Sequence, residues 1–328
     1  MSAQPSPPSS SAARPRQDRP SFDTSAPFTV HVAREAGLTA YQLSGPRFRR
    51  VHRGVYVARS VPDTQLLRAR AALALAPPMA ALGLHDAAHL WGGVVPESTV
   101  SHVWIPPRPR WRGPRGVLAH VDLQARKAVL HQGIRVTTPE QTFVDMAAYL
   151  ALVDLVALGD SLVHAKVTTA ERLQETAAAG RFRGVRLARQ AAGLVRPGVR
   201  SGPESRLRML IVLAGLPEPT VDLTRLDGDG VVIYRCDLGW REIRVAVEYD
   251  GRHHAESPQQ WGRDIVRRED FDDNGWRVVV VRSEGLWVSP EETLARIVKV
   301  REAQGAPPVR LSHEWRRHFP GRAGKGRR

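Results

Sequence analysis

Four acidic residues beyond position 200 have the types and spacing for metal-assisted chemistry. Glu248 and Asp250 lie two apart in Ile243–Asp250, a run that reads as a β-strand, so their side chains leave the same face. Val245, Val247 and Tyr249 leave the other. Asp237 lies near the end of the preceding strand-like run, Val231–Leu238. It faces Glu248 directly only if the turn between the runs centres near Glu242. Glu204 stands in the first turn of a helix that can pack across such a sheet. Carboxylates gathered on one spot repel each other and persist when a cation neutralises them. Hard oxygen ligands select Mg²⁺ or Mn²⁺. An ion held that way polarises a phosphate and generates hydroxide, which is the chemistry of phosphodiester hydrolysis.

The elements that must position these acids are legible around them. Ser201-Gly202-Pro203-Glu204 is an N-cap and first-turn signature, and the helix it opens stops at Gly215. Val221–Leu226 and Val231–Leu238 flank Asp227-Gly228-Asp229-Gly230, a hairpin signal. A calcium loop would want further acids and a terminal Glu, which are missing. Gly239–Glu242 makes the next turn, and Asn274-Gly275-Trp276 leads into a last strand, Arg277–Val281. Trp261 and Trp276 read as core, and Cys236 as a buried neighbour of Asp237.

The whole chain is basic: 328 residues, 48 Lys+Arg against 33 Asp+Glu, net charge +15. Lysine occurs only at Lys127, Lys166, Lys299 and Lys325, so arginine supplies nearly all the positive charge. A GC-rich coding sequence explains that preference for arginine but not the excess of cations over anions. The excess points to a polyanion, with nucleic acid first, and arginine's planar fork suits phosphate. A single cysteine excludes a disulfide framework and thiolate metal clusters. No apolar run approaches the roughly 18–20 residues of a membrane helix. A cytoplasmic protein with no membrane partner is expected.

Five segments are expected. Residues 1–26 are Ser/Pro/Arg-rich and lack the apolar surface to order themselves. Residues 27–60 read as a short helix Val30–Ala36, a second helix Ala40–Leu43 capped by Thr39, and a hairpin turning at Arg53-Gly54. That is a winged-helix outline whose wing carries Arg47, Arg49, Arg50 and Arg53. Residues 61–199 read as mainly helical, including Ala80–Trp91, with short strands at Val100–Ile105 and Val117–Leu123. His85 and His89 share a helix face without an evident third metal ligand, so they read as satisfied or surface histidines. Residues 200–304 hold the acids, and 305–328 read as a loose basic tail in which Leu311–Phe319 could form a short helix. The fold class is α/β, α+β overall.

Two resemblances extend this reading. Glu204, Asp237 and Glu248-Tyr249-Asp250 resemble the PD-(D/E)XK nuclease signature. Asp250-Gly251-Arg252-His253-His254, then Asp264, Arg267 and Asn274-Gly275-Trp276, resemble its very-short-patch-repair-like branch. The resemblance implies a restriction-endonuclease-like fold cutting or nicking DNA with Mg²⁺ or Mn²⁺. Asp237 and Glu248 would hold the metal, with Asp250 or Glu204 completing its shell. Asp250 stands where much of the superfamily has lysine, so His254 (or His253, one residue earlier) would move the proton and Arg267 would bind phosphate. At the other end, the helix–helix–Arg-Gly-Val-Tyr-Val outline is similar to the winged helix of AbiEi-type antitoxins. Leu90-Trp91-Gly92, Gly133–Pro139 and Thr142–Asp145 fit the same bacterial chains. This second resemblance implies binding of double-stranded DNA and a cognate toxin as a partner. The main expectation is therefore a metal-dependent endonuclease. The alternative is a non-cleaving, antitoxin-like DNA-binding regulator, and a protein with no nucleic-acid role stands behind both.

Overall fold

The computed structural model describes residues 23–108, 110–226, 229, 232–251, 271 and 273–321. It is of mixed α/β type, as the sequence reads, and divides into two compact units, Met1–Leu75 and Ala76–Arg328.

The first unit runs β1 (Phe28–Thr29), α1 (Val30–Glu35), α2 (Ala40–Ser44), β2 (Phe48–His52), β3 (Val55–Ala58) and α3 (Gln65–Leu73). Threonines start all three helices: Thr29, Thr39 and Thr64 each accept a first-turn amide. At α2 the cap is reciprocal, because the Gln42 side chain accepts the Thr39 amide at 2.7 Å. The expected turn is present, with Gly54 at φ +85°, a conformation that favours glycine. Phe28, Ala33, Leu38, Leu43 and Phe48 form the core, with Phe28 and Phe48 edge to face at 5.5 Å. The unit extends beyond the hairpin, since α3 packs on β2 and the Arg68 carbonyl meets His52 Nε2 at 3.2 Å. Asp23–Ala26, grouped by sequence with the N-terminal segment, instead join this fold. The Ala58 amide donates to the Thr24 carbonyl at 2.8 Å. Residues 1–22 lie outside the described residues.

The second unit begins with a five-stranded mixed sheet, ordered β6-β5-β4-β8-β7. Its strands are β4 (Ala81–Leu82), β5 (Ser101–Trp104), β6 (Val117–His120), β7 (Ala128–His131) and β8 (Ile134–Thr137). The segment read as mainly helical, with strands near Val100–Ile105 and Val117–Leu123, holds those two strands and three more, β4, β7 and β8, that the sequence reading did not include. The expected helix Ala80–Trp91 is in fact β4, then Gly83, then α4 (Leu84–Leu90). Gly83 breaks the run because Trp104 covers it: an added Cβ would meet the ring at 2.1 Å. β7 and β8 form a hairpin whose turn places Gln132 and Gly133 at φ 48° and 74°. Helices follow: α5 (Pro139–Met146), α6 (Leu152–His164), α7 (Ala170–Ala179) and α8 (Val185–Leu194).

The rest of this unit is α9 (Gly202–Leu213), β9 (Thr220–Leu226), β10 (Val232–Trp240), β11 (Val245–Asp250), β12 (Arg277–Arg282), α10 (Ser283–Trp287) and α11 (Pro290–Ala303). The sheet order is β12-β11-β10-β9, with β9, β10 and β11 an antiparallel meander and β12 parallel to β11. The strands expected on either side of the Asp-Gly-Asp-Gly stretch pair, while most of that stretch lies outside the described residues. Helices α6 and α9 pack together around a buried ion pair. Arg208, fully buried, donates to Asp160 at 2.9 Å, to the Leu194 carbonyl at 2.8 Å and to Glu218 at 3.1 Å. Arg206 reaches Asp154 of α6 at 2.7 Å. The expected loose tail is also corrected through Gly321. Ala306, Trp315 and Phe319 are buried, a 3-10 turn spans Glu314–Arg317, and the Ser312 amide donates to the Ala214 carbonyl.

Candidate functional site

Two places in the molecule gather the residues the sequence singles out. The first is the hairpin of the N-terminal unit. Arg47, Arg50 and Arg53 are exposed, and among the described residues Arg50 and Arg53 make no ion pair. Arg47 lies over the Phe48 ring at 5.8 Å. Arg49 differs from them. It is partly buried, its guanidinium donates to the Val61 carbonyl at 3.1 Å, and it faces Asp63 at 3.8 Å. Arg59, which the sequence did not single out, donates to the Pro46 and Phe48 carbonyls at 2.8 and 3.2 Å and holds the base of the hairpin. On α2 the one large exposed side chain is Tyr41, at 90%. The hairpin thus presents cations to solvent, with Arg49 and Arg59 bracing it.

The second is a cleft of about 940 Å³ along β11 and β12, closed by α10 and α11. Asp237, Glu248 and Asp250 all line it, together with Glu284 and Glu292 and with Arg235, Arg277, Arg282 and Arg296. The register condition for Asp237 is met in part. Leu238 pairs with Val247 and Trp240 with Val245, the register that centres the turn near Glu242. The ladder stops at Leu238–Val247, and Asp237 takes the next place with its side chain. Its Oδ2 accepts the Tyr249 amide at 2.7 Å. Asp250 is placed 3.6 Å from Arg282 at the end of the paired parallel strand. Arg282 carries no motif, and only the parallel pairing of β11 with β12 brings it to Asp250.

Glu204 is not part of this cleft. Its carboxylate accepts the Arg200 amide at 2.9 Å and the Ser201 hydroxyl at 2.8 Å, and its amide donates back to Ser201. Both oxygens therefore serve the α9 cap, which corrects the expectation that Glu204 joins the other acids. His254 and Arg267, with His253 and Asp264, lie outside the described residues. Cys236 and Trp276 are buried as expected, in one cluster with Leu223, Ala246 and Phe271.

The acids offer hard oxygen donors, so Mg²⁺ or Mn²⁺ can be tested against them. Among the described residues, no group of three or more His, Cys, Asp or Glu side chains is placed to hold a metal ion. Asp237 uses one oxygen on a backbone amide and Asp250 faces a guanidinium. The described acids alone therefore do not form the expected shell of Asp237, Glu248 and Asp250. Among the described residues no helix is long and apolar enough to cross a membrane.

The five-stranded sheet with its following helices defines the class this chain is similar to. Residues 79–195 match the family model for the AbiEi antitoxin C-terminal domain. Two curated relatives from Mycobacterium tuberculosis strains, the uncharacterized proteins Rv2248 and MT2308, are each 28% identical over 251 residues. The aligned part covers 76% of this chain and 91% of theirs. Among solved structures, the RV2827C protein from Mycobacterium tuberculosis matches 61% of this chain and 80% of its own. That match has 17% identity and a TM-score of 0.36, a likeness too distant to establish a shared fold.

Proposed function

We propose that this protein is an antitoxin-like regulator that binds double-stranded DNA through its N-terminal helix–helix–hairpin unit and has a cognate toxin as its protein partner. One observation carries the reading: an AbiEi-antitoxin-like domain at residues 79–195 follows a unit whose hairpin exposes Arg47, Arg50 and Arg53. Exposed guanidinium groups on a braced hairpin are suited to phosphate oxygens, to which they can donate two parallel hydrogen bonds. Binding built on phosphate contacts falls steeply with salt because condensed counterions are released. The test is titration of the full chain with labelled duplexes at low and raised salt, with single-stranded DNA and RNA of matched length as competitors. Duplex binding that weakens with salt and resists these competitors is expected. Absence of duplex binding at low salt would overturn the reading.

A second reading, metal-dependent cleavage or nicking of DNA, is favoured by the shared cleft of Asp237, Glu248 and Asp250. The described acids do not complete a metal shell, so this reading requires groups from the segment that holds His254 and Arg267. Incubation of supercoiled plasmid with Mg²⁺ or Mn²⁺ tests it, using Asp237→Ala and Glu248→Ala as controls. Cleavage that both substitutions abolish supports the reading. Cleavage that survives both, or none at all, removes it.

A further inference from the structure

A column of imidazoles lies in the antitoxin-like segment, built from residues that belong neither to the hairpin nor to the lining of the cleft. His85 of α4, His102 of β5 and His120 of β6 stack in sequence. Their ring centroids lie 5.2 and 5.3 Å apart, with interplanar angles of 26° and 25°. The parallel register pairs Trp104 with His120 and His102 with Leu118, so His102, Trp104 and His120 share a sheet face. His102 Nδ1 and His120 Nε2 are 3.1 Å apart, a hydrogen bond that exists only while at least one of those nitrogens lacks a proton. The buried Nδ1 of His85 and Nε2 of His89 meet no hydrogen-bond partner among the described residues. Such groups are costly to bury and more costly to charge.

We propose that this column is an acid-triggered latch, in which protonation of His102 and His120 breaks their hydrogen bond and loosens α4 from β5. Two adjacent imidazolium rings would repel at this spacing, and both would become donors with no acceptor between them. The groups facing the column come from every packed element. On α4 they are Asp86, whose carboxylate accepts the His102 amide, and His89. Before β5 stand Glu97, which acts on His89, and Ser98, whose hydroxyl lies 3.3 Å from His102 Nε2. Arg126 covers Trp104 at 3.4 Å and pairs with Asp145 of α5 at 3.2 Å, while Tyr149 meets His120 edge to face at 6.4 Å.

The electrostatics agree with this geometry. Burial holds all four imidazoles below their usual value, with neighbouring imidazoles adding to the effect at His85 and His102 and Arg126 adding to it at His120. His102 is pushed down to about 4. A base depressed in the folded state leaves the unfolded state with more protons. The linked stability is therefore complete above the usual value of roughly 6.5 and is lost as pH falls toward the folded value. Asp145 acts in the opposite sense. Burial pushes it up to about 6 despite Arg126, so it favours the folded state as it takes up a proton. Its protonation also leaves the Arg126 charge uncompensated beside His120. The readout must therefore be local.

Hydrogen–deuterium exchange of the full chain at neutral and mildly acidic pH provides it, with rates corrected for the intrinsic effect of pH. Segments 84–90, 101–104 and 117–120 should lose protection by about tenfold or more on acidification, while α6 and α8 keep theirs. In His102→Gln, and separately in His120→Gln, that loss should shrink to about threefold or less. The two variants are independent, and the response of the unmodified chain is itself a test if either fails to fold. Unchanged protection in the unmodified chain, or an equal loss in both variants, would overturn the latch. So would opening at neutral pH on adding a metal chelator, because the column would then answer to a metal rather than to protons.

Discussion

Arginine does opposite work in two regions of this molecule. At the α6–α9 contact, Arg208 is fully buried and its guanidinium is divided among Asp160, Glu218 and a backbone carbonyl. Burial raises Asp160 even so, which shows how costly that charge is to hold out of water. On the hairpin, Arg50 and Arg53 are exposed and make no ion pair among the described residues. Arg208 therefore acts inside the fold, where its removal strands a carboxylate. The hairpin arginines have little to lose within the fold and are placed to meet a ligand. The cleft along β11 and β12 lies between these extremes, with arginines and carboxylates both in its lining. A net charge of +15 consequently says little until its members are sorted by what they already touch.

The largest expected effect comes from breaking the buried pair. Arg208→Ala should cost about 3–5 kcal/mol in urea unfolding of the chain, because it leaves Asp160 charged and unpaired. Duplex affinity per folded molecule should not change. Replacing both partners with apolar residues should recover much of the loss, and failure to recover it would show that the cost is packing rather than charge. Arg49→Ala is the next test, because the sequence groups Arg49 with the hairpin cations while its contacts group it with Arg208. It should lower stability by about 1 kcal/mol and leave duplex affinity within about threefold. Glu204→Gln is smaller still, about 0.5–1 kcal/mol by the same measurement, since the amide keeps one acceptor for the α9 cap. Weakened metal binding in that variant would return Glu204 to the cleft. Arg50→Ala with Arg53→Ala should change stability by no more than about 0.5 kcal/mol.

The sequence exposed most of what local signals control. Thr39 with Gln42, Ser201 with Glu204 and the Arg53-Gly54 turn each state a cap or turn within four residues, and each is present in the fold. The meander of β9, β10 and β11 followed from strand-like runs separated by glycine turns, while the place of β12 beside β11 did not. What failed depended on distant packing. Ala81–Leu82 is a two-residue strand in an alanine- and leucine-rich stretch, and only the Trp104 ring against Gly83 explains why the helix starts late. The β7–β8 hairpin is the exception, a local turn marked in the sequence by Gly133. Trp315 and Phe319 stand among exposed arginines, so their burial against the body of the second unit was hidden by their neighbours. In the cleft, alternation placed Glu248 and Asp250 on one face, and Asp237 was expected there only on a condition of turn register and by resemblance to a motif. Arg282 was not, because a parallel strand pairing joins residues far apart in the chain. The imidazole column is the same case, since the packing of α4 on β5 brings His85 to His102 and the parallel pairing of β5 with β6 brings His120.

The assignment of DNA binding to the hairpin is tested most directly by the salt dependence of duplex affinity. The comparison is the intact chain against the Arg50→Ala, Arg53→Ala double variant. Each lost phosphate contact lowers the slope of log affinity against log salt by about one. The double variant should therefore show a slope smaller by about two and an affinity about tenfold or more weaker at low salt. An unchanged slope and affinity in a folded double variant would contradict the account and place the DNA-binding surface elsewhere on the protein.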